Sequence, residues 1–255
     1  MSERPEEKRG GEKPGVCLVV GVGEGLGSAL VRAFAAEGYA VAMTRRPRNL
    51  EALQPLADEI RAAGGAAHPF GVDARSEEEM TALFDTIERE IGPLEVVIFN
   101  IGANVRFGIR ETTARVFTKV WEMACFGGFL AGREAARVMV PRGRGTILFT
   151  GATASVRGRD GFAAFASAKH GLRAVAQSMA RELGPQGIHV AHVVVDGPID
   201  GVFIRGLRGG DVDDALARDE ILKPEEIAAS FVAVHRQGRS AWTHELDLRP
   251  WKETW

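Results

Sequence analysis

The sequence is poor in tyrosine and cysteine. Tyr39 is the only tyrosine among 255 residues, and the two cysteines are Cys17 and Cys125. Two cysteines without paired spacing exclude a disulfide-rich scaffold and a cysteine-ligated zinc module, and the six histidines also lack the spacing of metal ligands. The scarcity of cysteine and the lack of a recognisable signal peptide lead us to expect a cytoplasmic protein.

The chain also lacks a strong excess of either charge and has no long apolar run. Its 32 basic and 34 acidic side chains give a formal net charge of −2. We therefore expect no nucleic-acid partner, because such partners favour a strongly basic face. No apolar run reaches the ~18 residues of a membrane span, so we expect no membrane partner. The chain does have a 45% hydrophobic composition, which is ample for the core of one α/β domain.

Apolar runs alternate with helical patterns along most of the chain. This alternation predicts one α/β domain over residues 16–255, a doubly wound parallel sheet of the Rossmann-like kind with helices on both faces. Residues 1–15 are charged and predict a disordered tail, and the charged, glycine-rich residues 201–222 predict an irregular, mobile lid. The predicted strands are Val16–Val20, Tyr39–Thr44, Ala66–Val72, Leu94–Phe99, Thr146–Thr150, His189–Val195 and Ser240–Leu248, and the predicted helices are Ser28–Glu37, Asn49–Ala63, Ser76–Ile91, Thr112–Met139, Gly161–Leu183 and Pro224–Gln237.

A glycine-rich turn follows the first predicted strand. Gly21, Gly23, Gly25 and Gly27 stand between that strand and a helical pattern. Glycine lets the backbone approach a ligand closely, and the N-terminus of the next helix presents free N–H groups and a positive dipole end. This order of strand, turn and helix predicts a phosphate-binding turn.

Two arginines, Arg45 and Arg46, follow the second predicted strand. In a nucleotide-binding βαβ unit this position meets the adenosine ribose. An acidic residue there binds the ribose 2′-hydroxyl, whereas arginine accommodates a 2′-phosphate. The two arginines therefore favour NADP(H) as the cofactor. The alternative interpretation is that they are solvated surface residues.

Further motifs follow at characteristic intervals. Asp73 follows the third predicted strand, Asn100-Ile101-Gly102 the fourth, and Asp196-Gly197-Pro198-Ile199 the sixth. Phe165 and Lys169 stand four residues apart in a predicted helix. In this order and spacing, nearly the whole chain resembles the short-chain dehydrogenase/reductase family.

The resemblance implies a set of cofactor contacts. The residues that it assigns to NADP(H) are Gly21, Gly25, Leu26 and Gly27 at the pyrophosphate, Arg45 and Arg46 at the adenosine ribose, Asp73 and Ala74 at the adenine, Asn100 and Gly102 beside the ribose, Lys169 at the nicotinamide ribose, and Ile199 at the carboxamide.

The catalytic groups of that family match less well. Its general acid is a tyrosine four residues before the lysine, a position that Phe165 holds here. Its carbonyl-orienting serine falls at Ala152, and its helix asparagine falls at Ala124. Hydride transfer to a carbonyl leaves an alkoxide that needs a proton. Tyr39 is expected at the opposite edge of the sheet, roughly 15 Å away, so it cannot supply that proton.

Three other polar groups are candidates for the chemistry. Lys169 is a candidate proton donor, because a buried lysine shifts its pKa readily. Thr153 is a candidate hydrogen-bond donor to a carbonyl, or else a satisfied loop hydroxyl. Asp160 is predicted to lie beside the substrate pocket, or else to pair on the surface with Arg157 or Arg159.

The sequence leaves two functions open. The first is an NADP(H)-dependent oxidoreductase that transfers hydride without the tyrosine acid, to an activated alkene, an imine or a carbonyl compound. The second is a catalytically inactive NADP(H)-binding protein that acts as a sensor or scaffold. The resemblance also implies a small-molecule substrate and a homodimer or homotetramer.

Overall fold

The computed structural model describes residues 15–253, so the predicted disordered tail lies outside it apart from Gly15. The described chain forms one parallel sheet with helices on both faces, which confirms the predicted fold class. The strands are β1 (Val16–Val20), β2 (Ala40–Arg45), β3 (Ala67–Gly71), β4 (Leu94–Phe99), β5 (Gly145–Thr150), β6 (Ile188–Val195) and β7 (Glu245–Leu248). The α-helices are α1 (Leu26–Ala36), α2 (Gln54–Ala62), α3 (Glu77–Thr86), α4 (Ala114–Trp121), α5 (Gly127–Met139), α6 (Ala163–Leu183), α7 (Val202–Arg208), α8 (Val212–Ala217) and α9 (Pro224–His235).

The strand order reverses beside β1. The sheet runs β3-β2-β1-β4-β5-β6-β7, so the chain moves outward from β1 to β3 and then crosses back to β4 on the other side of β1. Open α/β sheets bind ligands outside the carboxyl ends of their strands at such a switch point. The segments after β1 and β4 meet there, and Asn100 Nδ2 donates a hydrogen bond to the Gly21 carbonyl at 3.0 Å.

Successive residues of β1 face two different cores. Cys17 and Val19 pack with α1, α2 and α9, whereas Val16, Leu18 and Val20 pack with α3, α5 and α6. Every position of the strand is apolar because both faces of the sheet are covered. Burial raises the pKa of the Cys17 thiol well above its ordinary value, so this cysteine is a packed, protonated thiol.

Residues 201–222 differ from the sequence prediction, because they contain α7 and α8 and are not irregular. Arg205 in α7 contacts Asp200 at 2.7 Å and Asp213 in α8 at 3.2 Å. Val212 and Ala215 are buried in a small apolar cluster of their own. Ion pairs and this small cluster hold the helices together, and neither produces a long apolar periodicity in the sequence.

Two other predicted elements have different bounds. The last strand begins at Glu245 and not at Ser240, because Arg239–Ala241 forms a 3₁₀ turn. The long helix predicted over 112–139 is divided by a π-helical turn at Glu122–Phe126, which separates α4 from α5.

Two leucines test the assignment of the core. Leu30 in α1 is fully buried, whereas Leu207 in α7 is 68% exposed. We expect Leu30→Ala to lower the free energy of unfolding by about 2–5 kcal/mol, because a cavity replaces packed side-chain atoms. We expect Leu207→Ala to change it by less than about 0.5 kcal/mol. Chemical denaturation of both variants checks this, and equal effects would contradict the assignment.

Candidate active site and cofactor cleft

The turn after β1 requires glycine at two positions. Gly21 has a φ of +94°, in the left-handed region, and a Cβ there would lie 2.6 Å from Ile101 Cγ1. A Cβ on Gly27, in the first turn of α1, would lie 2.8 Å from the Cα of Val22. Helix α1 therefore packs closely on the turn and directs its free N-terminal N–H groups along this edge of the sheet. Such a cradle fits a pyrophosphate.

A cavity of about 190 Å³ lies at the carboxyl ends of β2 and β3. It brings together several residues that are far apart in the sequence. Its lining includes the predicted residues Gly21, Arg45, Arg46, Asp73 and Ala74, and also Thr44, Asn49, Arg75 and Met123, which the sequence analysis missed.

Neither of the two predicted arginines of this cavity forms a salt bridge with another described residue. Arg46 Nη2 lies 2.7 Å from Met123 Sδ, which is only a weak acceptor. Within residues 15–253 the Arg45 side chain has neither an ion pair nor a hydrogen bond. Asp73 is bound by Arg75, with Oδ2 2.5 Å from Nη2, and this bond together with the charge of Arg46 lowers the pKa of Asp73. An adenine contact by Asp73 would share a carboxylate that Arg75 already holds.

A second cavity, of about 430 Å³, lies at the carboxyl ends of β4, β5 and β6. Asp160 and the predicted glycines Gly25 and Gly27 line neither cavity. The lining of the larger one includes the predicted residues Leu26, Asn100, Gly102, Thr153, Phe165, Lys169 and Ile199, and also Asn104, Thr150, Arg157, Arg159, Phe162 and Phe203.

Lys169 is a buried cation that joins two strand ends. Its Nζ donates hydrogen bonds to the carbonyl of Ile101 at 3.1 Å and to that of Thr150 at 2.8 Å, and the residue is 2% exposed. Burial lowers the pKa of Lys169 to about 7, and Cys125 nearby acts in the opposite direction. A lysine that titrates near neutral pH can hold or release a proton at the wall of this cavity.

Phe165 lies one helical turn before Lys169 and belongs to an apolar wall. It is 7% exposed and packs in a buried cluster with Val120, Ala124 and Ala164. The ring of Phe165 itself carries no proton donor.

The structure gives the Thr153 hydroxyl a different partner from the predicted substrate carbonyl. Thr153 Oγ1 donates a hydrogen bond to the carboxylate of Asp196, which is 3% exposed. Arg157 Nη2 lies 3.5 Å from Asp196 Oδ1, and Arg249 Nη2 lies 3.4 Å from Oδ2. Because its proton is committed to this anchored carboxylate, Thr153 is the satisfied loop hydroxyl of the alternative interpretation.

The prediction that Asp160 lies beside the substrate pocket is wrong. The side chain of Asp160 is 97% exposed and pairs with Arg106 at 3.8 Å, instead of with Arg157 or Arg159. Gly161 next to it has a φ of +79°, and Arg106 lies over the ring of Phe162 at 5.9 Å. This turn directs Asp160 away from the cavity and towards the arginine that covers the ring.

Two negative findings apply to residues 15–253. No group of three or more histidine, cysteine, aspartate or glutamate side chains there could hold a metal ion. None of the helices in that range is both long enough and apolar enough to span a bilayer.

Comparison with known proteins identifies the family. A family model described as short chain dehydrogenase matches residues 15–203. The chain belongs to this family. A crystal structure of a short-chain dehydrogenase from Rhodopseudomonas palustris is 49% identical, with a TM-score of 0.80, over 93% of this chain and 99% of that one. The short-chain dehydrogenase/reductase eriH of Hericium erinaceus is 32% identical over 231 residues, 86% of this chain and 90% of that protein.

A more distant structure shares the fold. An actinorhodin polyketide ketoreductase variant, solved with NADPH, is 24% identical, with a TM-score of 0.84, over 93% of this short-chain dehydrogenase and 96% of that chain. The resemblance inferred from the spacing of the sequence motifs is thus confirmed at the level of the family.

Lys169 predicts a pH dependence of stability. Its pKa of about 7 in the folded protein lies below the unfolded value of about 10.4. Between these values the unfolded chain holds a proton that the folded chain has released, so the folded protein gains stability as pH rises, by up to ~1.4 kcal/mol per pH unit. In Lys169→Met this contribution is lost.

The measurement is denaturant unfolding of both proteins from about pH 7 to about pH 9. The stability of the wild type relative to Lys169→Met should increase with pH. Lys119→Met, which changes an exposed lysine, is the control and should follow the wild type. If the free energies of unfolding of the wild type and Lys169→Met change with pH in parallel, the low pKa of Lys169 is contradicted.

Proposed function

We propose that this short-chain dehydrogenase is an NADP(H)-dependent oxidoreductase that transfers hydride without a tyrosine acid. One observation carries the proposal. The glycine turn, Asn100 and Lys169 lie at a single sheet edge and are linked by the Asn100–Gly21 and Lys169–Ile101 hydrogen bonds, with a cavity on each side. This arrangement suits a long dinucleotide with one end in each cavity.

Charge supports the phosphorylated cofactor. Arg45 and Arg46 line the smaller cavity, and no salt bridge to residues 15–253 neutralises either guanidinium. A ribose 2′-phosphate would complement these charges and accept bidentate hydrogen bonds. When bound, NADP(H) supplies or accepts the hydride.

The proton chemistry sets the class of substrate. The positions of the family's tyrosine, serine and asparagine are held by Phe165, Ala152 and Ala124, and the Thr153 hydroxyl donates its hydrogen bond to Asp196. Lys169 is therefore the proton donor of the larger cavity. Its pKa of about 7 suits this role for a carbonyl compound. An activated alkene or an already cationic imine needs less help from an acid.

The same apolar wall favours a second candidate function. Phe165 packs with Ala124 and Ala164 where the family places polar catalytic groups. Such a wall holds a nicotinamide ring but supplies no proton. The second candidate is thus an inactive NADP(H)-binding protein that acts as a sensor or scaffold.

We further propose that the protein is cytoplasmic and forms a homodimer or homotetramer. Phe117 and Trp121 on α4 and Phe129 on α5 are each 40% exposed. Such aromatic side chains are typical of the core of an interface between subunits.

The cofactor preference is testable with Arg45→Ala combined with Arg46→Ala. We expect NADPH affinity to fall about 10²- to 10⁴-fold, because each of the two lost charge-assisted hydrogen bonds is worth about 1.5–3 kcal/mol. NADH affinity should change less than about twofold, since NADH has no 2′-phosphate. Calorimetric titration measures both. Arg181→Gln, at the far end of α6, is the control, and equal losses for NADPH and NADH would contradict the assignment.

Activity is tested by NADPH oxidation with a panel of enones, cyclic imines and ketones. We expect turnover of an enone or an imine above background, and a loss of about 10²-fold or more in ketone reduction for Lys169→Met if Lys169 donates the proton. The companion variant, Phe165→Tyr with Ala152→Ser, should gain ketone reduction. Background rates for every compound, with NADPH still bound, would favour the inactive binding protein. Failure to bind NADPH would contradict both candidates.

A further inference from the structure

The larger cavity combines an apolar interior with a positively charged rim. Phe162, Phe165 and Phe203 contribute aromatic walls, and Arg157 and Arg159 line the same cavity. An apolar ligand alone would offer these two guanidinium groups no hydrogen-bond acceptor.

The carboxylates nearest to this rim are already engaged. Asp196 accepts the Thr153 hydrogen bond and faces Arg157 and Arg249, while Asp160 faces Arg106. The side chain of Arg159, by contrast, has no ion pair or hydrogen bond with the part of the chain that the structure describes. One uncompensated positive charge therefore remains at the mouth of the cavity.

Arg157 adds a second observation. Its Nε is buried and has no hydrogen-bond partner within residues 15–253, although its Nη2 lies 3.5 Å from Asp196. A buried donor without an acceptor is unfavourable, and an acceptor that reaches it is correspondingly favoured. An anionic oxygen at the rim would offer a partner to both arginines.

We propose that the substrate carries a carboxylate on an apolar carbon skeleton, with the carboxylate at Arg159 and Arg157 and the skeleton against the phenylalanine walls. The proposal rests on the proposed function, since it names the substrate class of that site. A planar guanidinium matches a carboxylate bidentately. We favour a carboxylate over a phosphate because a monovalent anion balances the single uncompensated charge of Arg159.

The test measures binding without cofactor, so its outcome is separate from that of the proposed function. The probes are phenylacetate, its neutral isostere phenylacetamide, and benzylphosphonate, each titrated by calorimetry and by ligand-observed NMR. The wild type should bind phenylacetate about tenfold more tightly than phenylacetamide, as expected for charge-assisted hydrogen bonds at a partly exposed rim. This preference should shrink as salt rises from about 0.1 M to about 1 M.

Two arginine variants show which residue produces the preference for the carboxylate. Arg159→Gln should reduce the carboxylate preference to about twofold or less and leave phenylacetamide affinity unchanged, because the apolar walls remain. Arg181→Gln removes the same charge at the other end of α6, about 27 Å from the first residue of that helix, and should keep the preference. Equal affinity of the wild type for acid and amide, lack of binding by both, tighter binding of benzylphosphonate, or an unchanged preference in Arg159→Gln would each overturn the proposal.

NADPH binding is measured in parallel on the same proteins. Lack of carboxylate discrimination by the wild type, with its NADPH binding intact, would overturn only the substrate class. Carboxylate discrimination without NADPH binding would overturn the proposed function and leave an anion-selective cavity.

Discussion

The site depends on one buried ammonium group. The side chain of Lys169 projects from α6. Its Nζ donates hydrogen bonds to the carbonyl of Ile101, which follows β4, and to the carbonyl of Thr150, which ends β5. Both carbonyls lie at the carboxyl edge of the sheet, where the chain leaves β4 and β5. An ammonium in this position satisfies both carbonyls. Its burial removes it from water, and this desolvation lowers the pKa of Lys169. The geometry of the larger cavity follows from this constraint, because Phe165 is carried on the same helix.

The two cavities have a similar arrangement of charges. Each one keeps positive charge that residues 15–253 do not neutralise: Arg45 in the smaller cavity and Arg159 in the larger. The acidic groups close by are held by other arginines, as Asp73 is by Arg75 and Asp196 is by Arg157. Such internal pairing leaves the fold with a near-neutral charge overall while the ligand-facing side chains stay cationic. Anionic groups of two different molecules, the cofactor in the smaller cavity and the substrate in the larger one, would complement this arrangement.

Much of the fold was predictable from sequence, because buried parallel strands are continuous apolar runs. The predicted bounds of β1 and β4 agree with the structure, as does the position of the glycine turn between β1 and α1. The helices α7 and α8 were missed, since ion pairs of Arg205 leave no apolar period in the sequence.

The candidate site was predictable only in part. Residues at strand ends, such as Arg45 and Asn100, were found because a parallel sheet gathers those ends at one edge. The partner of Thr153 was not found, because Asp196 comes from another strand and the bond depends on how two loops cross. The predicted location of Asp160 was wrong for the same reason, because its ion-pair partner, Arg106, lies in a distant loop.

Gly25 is constrained both by its own backbone and by a distant neighbour. Its φ of −95° is combined with a ψ of −120°, which lies outside the α and β regions that residues with a side chain favour. A Cβ there would lie 3.3 Å from the carbonyl oxygen of Asp200, at the start of the segment that leads into α7. A methyl group on Gly25 would therefore make a close contact with that segment. A side chain at this position is therefore limited by a neighbour that is 175 residues away along the chain.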